Sequence, residues 1–187
     1  SYKLRGALNS MQKRSDIKHF VCASAGNHAQ GVAYMASHLN VQATIFMPST
    51  TPRQKISKTK IFGGGNVEIR TVGDYFDECL YAATEFSQKE KAHFLSPFDD
   101  PDVIEGQGTV AAEIVSQLGF VPDAIVMPVG GGGLSAGVIS FFRKNCEYFL
   151  IEPAGAASLK AALTAGRPTK LDTIDNFTDG ASVAQVG

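Results

Sequence analysis

The sequence predicts an α/β protein in which parallel strands alternate with helices, and three observations carry that expectation. Short apolar runs bounded by turn residues alternate along the chain with stretches of helical period, the rhythm of repeated strand–helix units. A strand pattern runs into four consecutive glycines at 130–133 and a helical pattern follows them. The 187 residues are 44% hydrophobic, enough for a real core in one large or two small lobes.

Taken in order, 20–23 reads as a buried strand and 27–39 as a helix with Val32, Met35, Ala36 and Leu39 on one face. A second strand over 43–47 ends at Pro48. The next helix, 52–62, is entered by a proline and stopped by Gly63, Gly64 and Gly65, and 67–70 is a third strand. A helix over 75–88 and a short strand over 92–95 lead to the turn 97–101, rich in proline and aspartate, where a lobe boundary is expected. Beyond it come a helix over 103–118, a buried strand over 124–129, a helix over 134–143, a strand over 149–151, and a helix over 156–165 stopped by Gly166. The chain has no internal repeat and no low-complexity segment.

Charge and composition exclude several classes. Seventeen basic against 18 acidic residues leave a net charge of -1, which gives no electrostatic case for nucleic acid or an anionic membrane and points to a small-molecule partner. Cys22, Cys79 and Cys146 are odd in number and lack CxxC spacing, which suits a reducing compartment, the cytoplasm, better than a disulfide framework or zinc site. Neither a membrane-spanning run nor a signal peptide is expected. The chain opens on Ser1, so it is expected to be a piece of a longer protein.

Three motifs carry chemistry. In Pro128-Val129-Gly130-Gly131-Gly132-Gly133-Leu134 the glycines let backbone N–H groups converge and the helix start adds positive partial charge, a cradle for a phosphate monoester. A tight turn is the plainer alternative. The run matches neither GxGxxG nor GxxxxGK[ST], which disfavours a nucleotide. Ser24-Ala25-Gly26-Asn27-His28 repeats the logic after the first strand, where exposed N–H groups suit a carboxylate, although ordinary capping by Ser24 or Asn27 explains it as simply. His28 by itself reads as a packed helix residue. The third motif, Ser1-Tyr2-Lys3-Leu4-Arg5-Gly6-Ala7, sets a lysine after an aromatic, and most lysines are solvated surface groups.

Together, in this order and at these separations, the motifs resemble those of the fold-type II pyridoxal-phosphate enzymes. The first resembles the Ser-Phe-Lys-x-Arg-Gly-Ala motif of the threonine dehydratases. Ser-Ala-Gly-Asn-His-Ala-Gln-Gly is similar to their asparagine loop, and the glycine run to their phosphate loop. Gly106-Gln107-Gly108-Thr109 also resembles the family. Cysteine synthases carry a lysine motif without Arg-Gly-Ala and a threonine within the glycine loop, and this chain shares neither feature.

The resemblance implies two open parallel-sheet lobes with pyridoxal 5'-phosphate between them. Residues 20–95 would form the small lobe with the asparagine loop, and 1–19 with 96–187 an incomplete part of the large lobe. It implies that Lys3 carries the cofactor as a Schiff base with Tyr2 beside it and that Asn27 bonds the ring hydroxyl. It further implies that Gly130, Gly131, Gly132, Gly133 and Leu134 bind the phosphate and that Ser24, Ala25 and Gly26 surround the substrate carboxylate. Tyr2 departs from the usual phenylalanine, and its hydroxyl needs a partner. Glu152 resembles a glutamate that helps bind a metal in serine racemases, but Ser158 stands where those enzymes have an acidic ligand, so no strong divalent site is expected. The segments 5–27 and 134–152 are a few residues shorter than usual, and the hydroxyl side chain facing the ring nitrogen is expected beyond Gly187.

The reaction so implied is dehydration and deamination of L-threonine to 2-oxobutanoate and ammonia by β-elimination, the entry to isoleucine synthesis, with L-serine giving pyruvate. L-serine dehydratase and serine racemase are the rival enzymes. Racemases place a second serine where this chain has Ala25, and without that hydroxyl a proton has no donor on the far face. A catalytically silent cofactor-binding or regulatory protein of the same fold is the rival from another class. The resemblance also implies a homotetramer.

Overall fold

The computed structural model describes residues 1–175, 177–178 and 180–187. The chain divides into two compact units, Ser1–Pro97 and Phe98–Gly187.

The first unit is built on a four-stranded, all-parallel sheet in the order β3-β2-β1-β4, formed by β1 (His19–Ala23), β2 (Gln42–Met47), β3 (Val67–Thr71) and β4 (His93–Phe94). Helices α1 (Lys3–Lys13), α2 (Asn27–Leu39), α3 (Arg53–Gly63) and α4 (Phe76–Lys89) connect and cover it. Successive strand residues point to opposite faces, so each strand feeds two cores. Phe20, Cys22, Ala43, Ile45 and Met47 pack with Ala7 and Met11 of α1 and the buried face of α2. Val21, Ala23 and Phe46 face the other way onto Cys79 and Ala83 of α4. Asn40 closes α2 in the left-handed conformation, and Glu78 accepts from the amides of Asp74 and Tyr75 at the start of α4.

The sequence left α1 unassigned. Leu4, Ala7, Leu8 and Met11 recur at helical spacing and pack on the first core, a period obscured by the lysine motif at its start. The helix packs on α2 within the first compact unit.

The second unit contains α5 (Pro101–Leu118), β5 (Ala124–Pro128), α6 (Gly133–Phe142), β6 (Glu147–Ile151) and α7 (Ser158–Ala165). Asp100 caps α5 by accepting from the amides of Asp102 and Val103, with Pro101 in the first turn. Helices α5 and α6 approach closely: a Cβ on Gly137 would fall 2.4 Å from the Ile104 carbonyl oxygen and 2.6 Å from the Gly108 nitrogen. This contact gives Gly108, within the Gly106–Thr109 motif, a packing role. Strands β5 and β6 pair in parallel, and Ile125, Met127, Tyr148 and Leu150 form the core with α5 and α6. The strand at 124–129 is not buried throughout as its apolar run predicts, since Val126 is 68% exposed. A parallel strand is apolar on both sides because both faces of such sheets are covered, and the core here lies against one face alone.

Candidate functional site

Lys3 is the first residue of α1, half-buried, with its Nζ donating to the carbonyl of Pro97. Burial lowers its amine from the ordinary lysine value to about 8. The Tyr2 ring lies 5.6 Å from Nζ, and a cation over a ring favours the charged form. Desolvation outweighs that attraction. The result is a lysine far closer to its neutral, nucleophilic form near neutral pH than a solvated one. Tyr2 itself is 37% exposed, and partial burial raises its hydroxyl above the usual phenol value.

Helix α2 holds α1 in place through a glycine. A Cβ on Gly31 would stand 3.3 Å from the Leu4 nitrogen and 3.4 Å from the Lys3 carbonyl carbon, so the bare backbone of α2 sits against the first turn of α1. One turn earlier on the same helix, His28 is 3% exposed, and its Nε2 lies 3.0 Å from the Leu95 carbonyl oxygen. Burial, helped by the nearby Lys3 charge and opposed by the Leu95 carbonyl, drops the ring to about 3. The imidazole is therefore neutral, and facing a carbonyl assigns its proton to Nε2. Nδ1 is then a bare acceptor, buried without a hydrogen-bond partner among the described residues, at a cost of about 1–3 kcal/mol.

Between β1 and α2, Ser24 Oγ accepts from the Gly26 amide at 3.2 Å, before the helix begins. Gly26 is the N-cap, with φ -122° and ψ -146°, and no side chain caps from that position. Asn27 is the first helical residue and is exposed. Neither Ser24 nor Asn27 therefore acts as the ordinary cap that the plainer reading supposed, and the first-turn N–H groups point out of α2 past a residue without a side chain. Ala25 and Gly26 are half-buried, and a Cβ on Gly26 would meet nothing within 4 Å. Asn27, Ser1, Leu4, Gly31, Tyr34 and Lys58 line part of one groove of about 280 Å³, which puts the asparagine loop and the start of α1 on the same surface.

The glycine run belongs to the second unit, between β5 and α6. A Cβ on Gly131 would fall 2.2 Å from the Phe98 ring, and one on Gly133 2.8 Å from the Phe98 carbonyl oxygen. On Gly130 it would fall 2.7 Å from the Gly180 carbonyl oxygen. Gly132 differs: it has open space but a φ of +92°, the region that side chains avoid. Four glycines are thus required for two separate reasons, close packing and handedness. Leu134 follows in the first turn of α6, and the helix has no side-chain cap from Gly132, so its N-terminal amides are aimed at the loop.

Glu152 has a visible task. Its two carboxylate oxygens accept from the amides of Leu159 at 2.7 Å and Lys160 at 2.9 Å, which holds the start of α7, with Ser158 as its buried first residue. Among the described residues, no group of three or more His, Cys, Asp or Glu side chains is placed to hold a metal. Cys22, Cys79 and Cys146 are free thiols, all buried.

Sequence reasoning missed Pro97, Gly31 and Phe98, and took His28 only for a packed helix residue. Gly31 and His28 stand three residues apart on one helix face, which was the available signal.

The pyridoxal-phosphate dependent enzyme family matches residues 1–187. The chain is 53% identical to the biosynthetic L-threonine dehydratase IlvA of Lactococcus lactis, over all of this chain and 47% of that protein. The processed form of threonine deaminase isoform 2 from Solanum lycopersicum superposes with a TM-score of 0.92 at 46% identity, over the whole chain and 52% of its own. Maize serine racemase superposes with a TM-score of 0.90 at 28% identity, over the whole chain and 57% of its own. The chain therefore spans about half the length of these relatives.

Proposed function

The chain belongs to the pyridoxal-phosphate dependent enzyme family, and from that premise we propose that the full-length protein dehydrates and deaminates L-threonine to 2-oxobutanoate and ammonia, in isoleucine biosynthesis. The observation that carries the reading is the Lys3 amine, half-buried at the head of α1 where it donates to the Pro97 carbonyl, and lowered to about 8. Likeness to a biosynthetic threonine dehydratase at 53% identity supports the substrate.

Two features of the fold suit pyridoxal 5'-phosphate. The Lys3 amine, lowered to about 8, is able to bond covalently to an aldehyde, and the glycines at 130–133 leave the backbone free of side chains beside a helix start, as a phosphate requires. Lys3 with Tyr2 beside it would hold the group covalently and Asn27 its ring hydroxyl. Gly130, Gly131, Gly132, Gly133 and Leu134 would hold its phosphate. Ser24, Ala25 and Gly26, at the uncapped start of α2, would bind the substrate carboxylate. In the assembled protein, 20–95 would serve as the small lobe, with 1–19 and 96–187 contributing to the large one.

When bound, this cofactor delocalises the electron pair left at Cα after deprotonation. The protein's share is proton transfer and orientation. The Lys3 amine, displaced by the amine of threonine, accepts the Cα proton, while the α2 amides keep the carboxylate fixed so that the Cα–H bond faces the lysine. The β-hydroxyl departs as water, and hydrolysis of the released enamine restores that water and yields 2-oxobutanoate and ammonia. Ala25 supplies no acid on the opposite face, so a proton is not returned there and elimination prevails over racemisation. L-serine would react likewise to give pyruvate, one methyl group being worth about 1 to 3 kcal/mol in a pocket.

With its carboxylate accepting from the α7 amides, Glu152 is a helix-fixing residue in this reading. Among the described residues, no helix is long and apolar enough to cross a membrane. A cytoplasmic homotetramer is the form proposed. Incubating the full-length protein with L-threonine tests the activity: 2-oxobutanoate and ammonia in equal amounts are expected, and D-serine from L-serine as the main product would replace this reading with racemase.

A further inference from the structure

Lys3 must leave the cofactor and return to it in each turnover of the proposed reaction, so its free amine needs a defined resting place. The fold provides one within the first unit. The amine donates to the Pro97 carbonyl, which lies two residues beyond Leu95, and the Leu95 carbonyl faces His28 Nε2 at 3.0 Å. The intervening backbone is stiff for covalent reasons: Pro97 has a fixed φ, and Ser96, preceding a proline, is confined to extended conformations. Leu95 is fully buried in the core, and its amide donates to Val21 of β1. A constraint at the Leu95 carbonyl is therefore transmitted to the Pro97 carbonyl. Helix α2 meets both ends of the arrangement, since Gly31 abuts the backbone of Lys3 and Leu4 and His28 reaches Leu95 from the same helix face.

We propose that His28 is a positioning residue for Lys3: through the Leu95 carbonyl it fixes the Pro97 carbonyl as the acceptor that holds the lysine amine when it is off the cofactor. A leucine or phenylalanine would fill the buried volume without leaving Nδ1 as an unsatisfied acceptor, so packing alone does not account for an imidazole. Its hydrogen bond to Leu95 does. By donating one N–H to Pro97, the neutral amine has its remaining freedom reduced and its lone pair directed away from that carbonyl, which shortens the search for the aldehyde carbon. The inference rests on Lys3 being the cofactor lysine.

The test follows Schiff-base formation when pyridoxal 5'-phosphate is added to the full-length apoprotein. The lysine nitrogen bonds the aldehyde carbon and the aldehyde oxygen leaves as water, with a new absorbance band. His28→Leu is expected to slow this band about tenfold. His28→Gln, whose amide nitrogen replaces Nε2 as donor, should restore the rate to within about threefold. Pro97→Gly keeps the carbonyl and His28 but frees the backbone, and is expected to be slow as well, which gives a reading even if His28→Leu does not fold. Formation at the wild-type rate in Pro97→Gly or in folded His28→Leu overturns the proposal, as does His28→Gln as slow as His28→Leu. A Lys3→Ala control keeps the two readings apart, because a Schiff-base band in that variant would discard the assignment of Lys3 itself.

Discussion

Lys3 and its surroundings are assembled from side chains and carbonyls that must each be present, whereas the 130–133 loop is assembled by keeping side chains out. At Lys3 a burial-lowered amine meets the Pro97 carbonyl, and a neutral histidine anchors the same backbone two residues earlier. At the loop, Phe98 and the backbone at Gly180 occupy the space that Cβ atoms on Gly131, Gly133 and Gly130 would need. The difference bears on substitution. The first region fails by losing a group, the second by gaining one.

Removing the group at Lys3 is the severest way to probe that contrast. On the proposed reaction, Lys3→Ala in the full-length protein would take away both the nucleophile and the base, so turnover of L-threonine should fall by roughly 10³-fold or more, with loss of the covalent cofactor absorbance. Near-normal turnover would dismantle the account of the first region. Adding a group in the second should cost less. Gly131→Ala sets a methyl 2.2 Å from the Phe98 ring, an overpacking worth about 1–3 kcal/mol that should weaken cofactor binding about 10- to 100-fold on titration. Combining it with Phe98→Ala should recover much of that loss. Gly132→Ala is the contrasting case, since its cost comes from φ and no neighbour lies within 4 Å, so Phe98→Ala should not rescue it. Equal rescue of both would mean that the two kinds of glycine are not distinct.

The pH dependence sharpens the first region further. With the Lys3 amine lowered to about 8, cofactor attachment to the apoprotein should accelerate about tenfold per pH unit below 8 and level off above it. A rate still climbing steeply at pH 10 would mean a solvated amine. For stability the sign follows from proton binding: between about 8 and 10.5 the unfolded lysine holds a proton that the folded one lacks, so this group's contribution to stability rises with pH across that window. The smallest effect is expected at Ala25. Ala25→Ser should raise D-serine relative to pyruvate from L-serine by a few-fold at most, because a new hydroxyl must also be oriented, and an unchanged ratio would leave the far face unexplained by this residue.

The same contrast accounts for what could be read before the fold was known. The strand–helix rhythm placed β1, α2, β2, α3, β3 and α4 to within a residue or two, because each has a large apolar face or a glycine or proline at its end. Helix α1 escaped although Leu4, Ala7, Leu8 and Met11 carry its period, because its first residues were read as a lysine motif and not for their spacing. The glycine loop was legible as a loop. That Phe98 is what excludes Cβ atoms from it was not, since an aromatic 33 residues earlier carries no local signal. His28 was visible but uninformative, because its partner Leu95 lies 67 residues away and only the fold brings its carbonyl to the ring. Glu152 was read through a resemblance to metal-binding relatives, while its actual contacts, the α7 amides, depend on a turn of 3-10 helix at Ala154–Ala156 that its local sequence does not announce.

The most direct test of the central claim is to locate the cofactor. Reducing the full-length holoenzyme with borohydride converts the lysine–cofactor imine to a stable amine, and peptide mass spectrometry then reads which lysine bears the adduct. The account predicts that the adduct sits on Lys3, in the peptide containing Ser1-Tyr2-Lys3-Leu4-Arg5, in proportion to bound cofactor. An adduct on Lys55, Lys58 or any other lysine, with Lys3 unmodified, would contradict it.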